Sequence, residues 1–310
     1  MGANGTDEYT KTLSNVQRST QYLTKLIEMD TVRALLSHED QERMYIYCND
    51  IPFWYVDEGK PDAMPVIFLH GFPFSHEMWS DQIAEVARRY RALAYDIRGH
   101  GKSYVGEGQF TIEHHVDDLF GLMDVWKIDT AVIVGLSMGG YIALRALERE
   151  PQRFRAAVLC DTRSEADSNE AKFKRFDTIK AVRAHGSEVF AEAFVKNVFA
   201  PETFTTRPEA ISRIKKIIAA TPPLSIVGTL LALASRTDTT ASLSQITIPA
   251  LILVGEKDVT TPPSSSQAMH EKIPGSEMHL IPAAAHMSNM ENPQEFNRRL
   301  LAFLDRVASS

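Results

Sequence analysis

The stretch 131–140, AVIVGLSMGG, constrains this chain more than any other: an apolar, β-branched run leads into a serine set among glycines. Gly135, Ser137 and Gly139 occupy the fixed places of G-x-S-x-G, and Gly140 follows. A serine on a very tight strand-to-helix turn has a strained backbone and a hydroxyl that projects clear of the sheet. The turn brings together the residues two before and two after the serine, and glycine is what fits there. Residues 141–148 (YIALRALE) predict a helix, so Ser137 stands just before a helix N-terminus, where negative charge is favoured. Taken alone, the pentapeptide fits a glycine-rich loop without chemistry equally well, since short motifs recur by chance.

The remainder of the chain has to decide, and its composition narrows the field. Its 310 residues, 44% hydrophobic and 24% charged, are those of an ordinary soluble protein. A formal charge of −7 and a pI near 5.8 argue against a general nucleic-acid or anionic-membrane binder. No 18-residue apolar run predicts a membrane span, and no secretory leader is evident. Cys48 and Cys160 lie in apolar strand-like runs without metal or redox spacing, which predicts two reduced thiols in a cytoplasmic protein.

Along the chain, helical periodicity covers 13–36, predicting a helical extension that packs on the main domain or forms a homodimer contact. Residues 43–49 and 51–57 predict a hairpin turning at Asn49-Asp50. Strands at 65–70, 91–97, 131–136 and 156–160 then alternate with helical stretches at 78–90, 112–126 and from 141. Residues 164–242 read as helical, with breaks at Pro201, Pro208, Pro222 and Pro223; strands return at 248–254 and 277–282, and a helix at 293–307 closes the chain. This alternation predicts an α/β architecture: a mostly parallel sheet covered on both faces, with a helical insertion forming a lid above its carboxyl edge.

Acyl transfer by serine needs a base and a third group that orients the base. Asp258 follows strand 248–254 and His286 follows strand 277–282, giving the chain order Ser137, Asp258, His286 that this motif predicts. Each alone is an ordinary loop residue; their joint placement after consecutive late strands singles them out. The oxyanion donors are expected to be the N–H of Met138, directly after the serine, and that of Phe72, in the loop after strand 65–70, where Pro73 has none to give. The pair His114-His115, with Asp117 and Asp118, reads as a solvated helix face rather than a metal site, because adjacent helical residues point apart.

The segments HGFP, DIRGHGKS, GLSMGG, LVGEKD and AAAHMSNMENP, in this order, resemble the α/β-hydrolase fold proteins over about residues 43–308. Within that family, GLSMGG, DIRGHGKS and LCDTRSEADS look most like 3-oxoadipate enol-lactonase-like and non-haem haloperoxidase-like serine esterases. The resemblance implies a sheet of about eight strands, a core of residues 43–163 and 243–310 and a helical cap over 164–242; the N-terminal helical extension, 1–42, read from periodicity, has no counterpart in the minimal pattern. Some members take the triad acid from the position of Asp161, which is read here as a loop-capping residue. The DIRGHGKS loop is mostly structural in the family, so His100 receives no catalytic role.

The expected activity is hydrolysis of small to medium carboxylic esters or lactones through an acyl-enzyme, with no metal or cofactor and no nucleic-acid or membrane partner. Perhydrolysis, with peroxide as acyl acceptor, is an expected side reaction. A C–C bond hydrolase of ring-cleavage products is one alternative, although those resemble GNSMGG and Leu136 stands here in place of asparagine. A non-catalytic small-molecule receptor is the other. Phe74, Arg163, Phe190, Phe194 and Met287 are the candidate substrate contacts beside Phe72 and Met138, with Phe199 a further lid aromatic and Arg163 the candidate cation for an anionic substrate.

Overall fold

The computed structural model describes residues 45–309. The expected helical extension over 1–42 and its dimer contact therefore lie outside the described residues.

The described residues open with the hairpin β1 (Tyr45–Cys48) and β2 (Ile51–Glu58), whose turn residues Asn49 and Asp50 both hold positive φ, 49° and 61°. Two left-handed residues form the tight turn that matches strand twist, and Asn and Asp tolerate that region better than other side chains. There follow β3 (Pro65–Leu69), a 3-10 turn (His76–Trp79), α1 (Ser80–Val86), β4 (Arg91–Tyr95) and α2 (Ile112–Val125). Next come β5 (Ala131–Leu136), α3 (Met138–Arg149) and β6 (Phe154–Cys160). The eight strands form one sheet in the order β1-β2-β4-β3-β5-β6-β7-β8, where β7 is Ala250–Gly255 and β8 is Glu277–Ile281. β2 runs antiparallel to β4, and the pairs from β4 to β8 are parallel.

The central strands are almost wholly apolar because both faces of the sheet are covered. All six residues of β5 and all six of β7 are buried. Alternate residues of β3 serve opposite layers: Val66 and Phe68 pack with Ile83, Phe296 and Leu304, whereas Ile67 and Leu69 pack with Val116, Leu119 and Ile142. One layer is thus built on α1 and the last helix, α10 (Pro293–Ser309), and the other on α2 and α3. Between β7 and β8 lies α8 (Pro263–Lys272), and after β8 the short α9 (Ser288–Glu291).

Between β6 and β7 the chain leaves the sheet for a helical insertion: α4 (Asn169–Val198), α5 (Thr203–Thr206), α6 (Pro208–Ala220) and α7 (Pro223–Ala234). α4 is two helices in series, broken at Gly186, whose φ of 79° and ψ of 179° are non-helical. Pro208 and Pro223 begin their helices, where a missing N–H costs nothing. α6 buries Ile211, Ile214 and Ile218 on one stripe, the spacing of an amphipathic helix. Among the described residues no single helix is long and apolar enough to cross a membrane.

Three local expectations change. The helix after Ser137 starts at Met138 rather than Tyr141, so the serine is its N-terminal neighbour. β7 starts at Ala250, because Pro249 has no N–H for the ladder and contributes only its carbonyl, to the Ala157 N–H. His115 is not on a solvated face: it is fully buried against Phe110, with ring centroids 5.1 Å apart, while His114 caps the helix at Thr111. Adjacent residues do point apart on a helix, and here one of them points into the core.

Candidate active site

The β5–α3 turn holds Ser137 at φ 53° and ψ −111°, a conformation costly for any residue other than glycine. Its surroundings enforce it. The Ser137 N–H donates to the Cys160 carbonyl at 2.9 Å, and its own carbonyl accepts from the Thr162 hydroxyl at 2.8 Å. A Cβ on Gly135 would overlap the Gly139 carbonyl, one on Gly139 the Leu69 carbonyl, and one on Gly140 the Thr162 side chain. Ser137 remains half-exposed within a shell of fully buried residues.

Asp258 lies three residues beyond β7. Its Oδ1 accepts the N–H groups of Thr260 at 2.8 Å and Thr261 at 3.0 Å. Its Oδ2 accepts the Thr261 hydroxyl at 2.8 Å and faces His286 Nδ1 at 2.8 Å. Burial alone would push this carboxyl up; the His286 charge and these donors outweigh it and hold Asp258 below the usual carboxylate range. An ionised carboxylate only accepts, so Nδ1 carries the ring proton and Nε2 is left as the acceptor. The loop that carries His286 packs hard on the end of β7, where a Cβ on Gly255 would overlap the Ala285 carbonyl.

Asp161 also sits at the carboxyl edge, directly after β6, but faces elsewhere. Its Oδ1 accepts the Gly255 N–H at 2.8 Å and its Oδ2 the Ser288 hydroxyl. Burial, with the nearby Asp258 charge, pushes its carboxyl well up. The structure thus brings His286 to Asp258 and gives Asp161 to the backbone of β7 and the loop after β8.

The loop after β3 is fixed by His70. The Ile97 N–H donates to His70 Nε2 at 2.9 Å, so Nδ1 is the protonated nitrogen and donates to the Gly71 carbonyl at 2.8 Å. Burial pushes the His70 imidazole down to about 3, which keeps it neutral. Beyond Gly71, Phe72 packs against Phe190 and Phe194 of α4, with ring centroids 6.2 and 5.9 Å away. Met138 opens α3, whose first N–H groups have no intrahelical acceptor. Ser137, Met138, Phe72 and His286 line one cavity of about 630 Å³.

The far wall of that cavity belongs to α4. Phe190 and Phe194 make it apolar near Phe72, and Lys174, Arg175, Asp177 and His185 make it polar further along. Arg163 lines it from the loop after β6, its Nη2 3.0 Å from the buried carboxylate of Asp167. Arg175 Nε also donates to Asp167, as does Arg236 Nη1 at 2.6 Å, with the Arg236 guanidinium stacked 4.2 Å over Tyr141. Three guanidiniums therefore share one carboxylate. Arg163 Nε is buried without an acceptor among the described residues.

Of the candidate substrate contacts, Arg163, Phe190 and Phe194 reach the cavity. Phe74 and Met287 do not: both are fully buried in the core, Phe74 behind the wall and edge-on to Phe194. Phe199 is likewise core. Phe74 and Met287 each lie within two residues of a site residue in sequence, but their side chains turn the other way. Lys174 and Arg175 were missed, since charges on a weakly patterned helix look like a solvated face, and Asp167 and Arg236 because they sit in the loops at the two ends of the insertion, where no periodicity marks them. Among the described residues no group of three His, Cys, Asp or Glu stands together as a metal site.

A family model described as the alpha/beta hydrolase fold matches residues 64–293. The chain belongs to the α/β-hydrolase family. Within this family it is similar to a thermophilic esterase from Thermogutta terrifontis, solved with malate bound, at 34% identity and a TM-score of 0.82, covering 86% of this chain and 99% of the other. It is similar to the enol-lactonase from Burkholderia xenovorans LB400, at 27% identity and a TM-score of 0.79, covering 84% of this chain and 99% of that one. It is also 28% identical over 257 residues to 3-oxoadipate enol-lactonase 2 of Acinetobacter baylyi, covering 83% of this chain and 94% of the relative.

Proposed function

We propose that this α/β-hydrolase cleaves carboxylic esters or lactones through an acyl-enzyme on Ser137. The observation that carries the reading is the Asp258 carboxylate 2.8 Å from His286 Nδ1, which leaves Nε2 as the basic atom of a ring lining the same cavity as Ser137. Ser137 Oγ bonds to the substrate carbonyl carbon as His286 Nε2 takes its proton. The carbonyl oxygen becomes an oxyanion held by the N–H groups of Met138 and Phe72; each such donor is worth about 3 kcal/mol. When the tetrahedral intermediate collapses, the C–O bond breaks and His286 hands the proton to the leaving alkoxide. Water then repeats the sequence, with His286 as base, and releases the acid. For a lactone, alcohol and acid leave as one molecule.

The helical insertion serves as the cap. Its Phe190 and Phe194 wall suits a small to medium acyl group, and Arg163, Lys174 and Arg175 suit a substrate that carries a carboxylate of its own. The enol-lactonase relatives and the malate-bound esterase are consistent with that preference.

The test is hydrolysis of p-nitrophenyl acetate, butyrate and octanoate by the wild type and by Ser137→Ala. Turnover that falls by about 10⁶-fold in the variant is expected, because the triad acts as a unit. Retained turnover in Ser137→Ala would overturn the mechanism, and a wild type silent on esters and lactones alike would point to a ligand receptor.

A further inference from the structure

The loop that carries His286 is held from two sides by one buried carboxylate that takes no part in the mechanism above. Glu291, the last residue of α9, accepts the N–H of Ala285 at 2.8 Å and that of Met287 at 3.3 Å, both on Oε1. These are the residues immediately before and after His286. Its Oε2 accepts the Ala200 N–H at 2.8 Å and the Thr203 hydroxyl at 2.5 Å, both in the stretch that leads from α4 into α5 of the insertion. The Met287 N–H also reaches the Val198 carbonyl at 3.2 Å, so the two segments touch directly beside the clamp.

We propose that Glu291 is a positioning residue for the catalytic base, fixing the backbone on both sides of His286 and tying it to the 198–203 segment of the cap. The inference rests on the reading of His286 as the base of Ser137.

The chemistry of the donors calls for a carboxylate. Four donors converge on two oxygens, and an ionised carboxyl presents only acceptors to them. Glutamine has the same size but one acceptor oxygen, so its amide NH₂ must face either the pair beside His286 or the pair on the cap. In either orientation one backbone N–H, that of Ala285 or that of Ala200, is left facing the NH₂, and a buried donor without an acceptor forces the loop to shift. His286 holds Asp258 through Nδ1, so a shift of its Cα is expressed at Nε2, the atom that must meet Ser137. Burial pushes the Glu291 carboxyl up, ahead of the opposing effect of its donors, as expected for a charge held by hydrogen bonds alone.

The experiment compares the wild type, Glu291→Gln and Thr203→Val as full chains. It measures p-nitrophenyl butyrate kinetics, the rate at which a fluorophosphonate labels Ser137, and thermal melting. Labelling needs the serine–histidine pair but no particular substrate contacts, so it isolates the base. For Glu291→Gln, kcat and the labelling rate are expected to fall roughly 10- to 100-fold at nearly constant KM, the size of effect a misplacement of about 1 Å produces. Thr203→Val, which leaves the carboxylate intact and removes one donor on the cap side, is expected to fall in the same direction by a few-fold.

Glu291→Gln that melts lower yet labels and turns over at the wild-type rate would overturn the proposal and leave Glu291 a structural residue. Should Glu291→Gln fail to fold, Thr203→Val decides alone: a lowered kcat at constant KM supports the clamp, and wild-type kinetics overturn it. A wild type that neither labels nor turns over would sink the serine–histidine reading along with the clamp, whereas an unimpaired Glu291→Gln beside an active wild type sinks the clamp only.

Discussion

The loop after β6 and the loop after β7 begin alike and end up with different work. Both leave neighbouring parallel strands at the carboxyl edge of the sheet, and both place a buried aspartate there, Asp161 and Asp258, close enough that the Asp258 charge bears on Asp161. Asp258 faces an imidazole and three donors from Thr260 and Thr261, and is held below the ordinary carboxylate range. Asp161 faces the Gly255 N–H and the Ser288 hydroxyl, and burial lifts it well above that range. Two carboxyls pushed apart by their surroundings are the usual sign of divided roles. The β7 loop supplies the carboxylate that faces His286, held low enough to stay ionised. The β6 loop supports: Asp161 braces two other loops, Thr162 pins the Ser137 carbonyl, and Arg163 faces the cavity.

The largest effect that could break this division is at Asp258. Asp258→Asn removes the charge that selects the His286 tautomer, and kcat on p-nitrophenyl butyrate is expected to fall by roughly 10⁴-fold with the fold intact, as judged by circular dichroism. Near wild-type turnover in Asp258→Asn, together with an inactive Asp161→Asn, would exchange the two roles.

Sequence placed both aspartates after strands and favoured Asp258 for its place in the run of late strands, but nothing in the string showed which way either side chain turns. What separates them is the direction each side chain takes, set by left-handed backbone at Asp161, φ 44°, and by the Thr260 and Thr261 N–H groups at Asp258. The serine turn was legible because its geometry tolerates so few residues: Gly135, Gly139 and Gly140 each answer a specific overlap. The hairpin at Asn49-Asp50 was legible for the same reason. The cavity wall was not. α4 needs no special φ except at Gly186, its apolar pattern is weak, and nothing in the string marks Arg175 as turned in to Asp167 while Phe173 is two-thirds exposed. Phe74 and Met287 misled because neighbours in sequence at a turn or strand end face opposite sides.

A middle-sized effect sharpens the supporting role of the β6 loop. If Arg163 serves recognition and not chemistry, Arg163→Met should act on KM and only for substrates with a second negative charge. Mono-p-nitrophenyl glutarate against p-nitrophenyl butyrate is the comparison to run. KM for the anionic ester is expected to rise by roughly tenfold, the value of one charge-assisted contact, with the neutral ester unchanged. An equal effect on both esters would mean that Arg163 shapes the cavity through packing around Asp167, with no part in anion recognition.

The smallest effect is expected at Asp161, and its sign is the test. Asparagine there still accepts the Gly255 N–H and can donate to the Ser288 hydroxyl, so Asp161→Asn should keep kcat within about threefold, no donor or acceptor being lost outright. Stability carries the signature. A carboxyl whose folded pKa is raised binds its proton more tightly folded than unfolded; its contribution is full below the ordinary value near 3.8 and is lost as pH rises through the folded one. Asp258, depressed, has the opposite sign: its contribution is full above 3.8 and is lost only as pH falls through its lower folded value. Urea denaturation of the wild type and both variants at pH 5 and pH 8 separates them. Asp161→Asn should gain stability relative to the wild type on going to pH 8, by up to about 1.4 kcal/mol for each pH unit inside the titration window. Asp258→Asn should instead be less stable than the wild type at both pH values, since Asp258 is already ionised throughout the range and its charge is lost at each. Parallel lines for Asp161→Asn instead would mean that its carboxyl is ionised too, and the contrast between the two loops would then rest on the His286 contact alone.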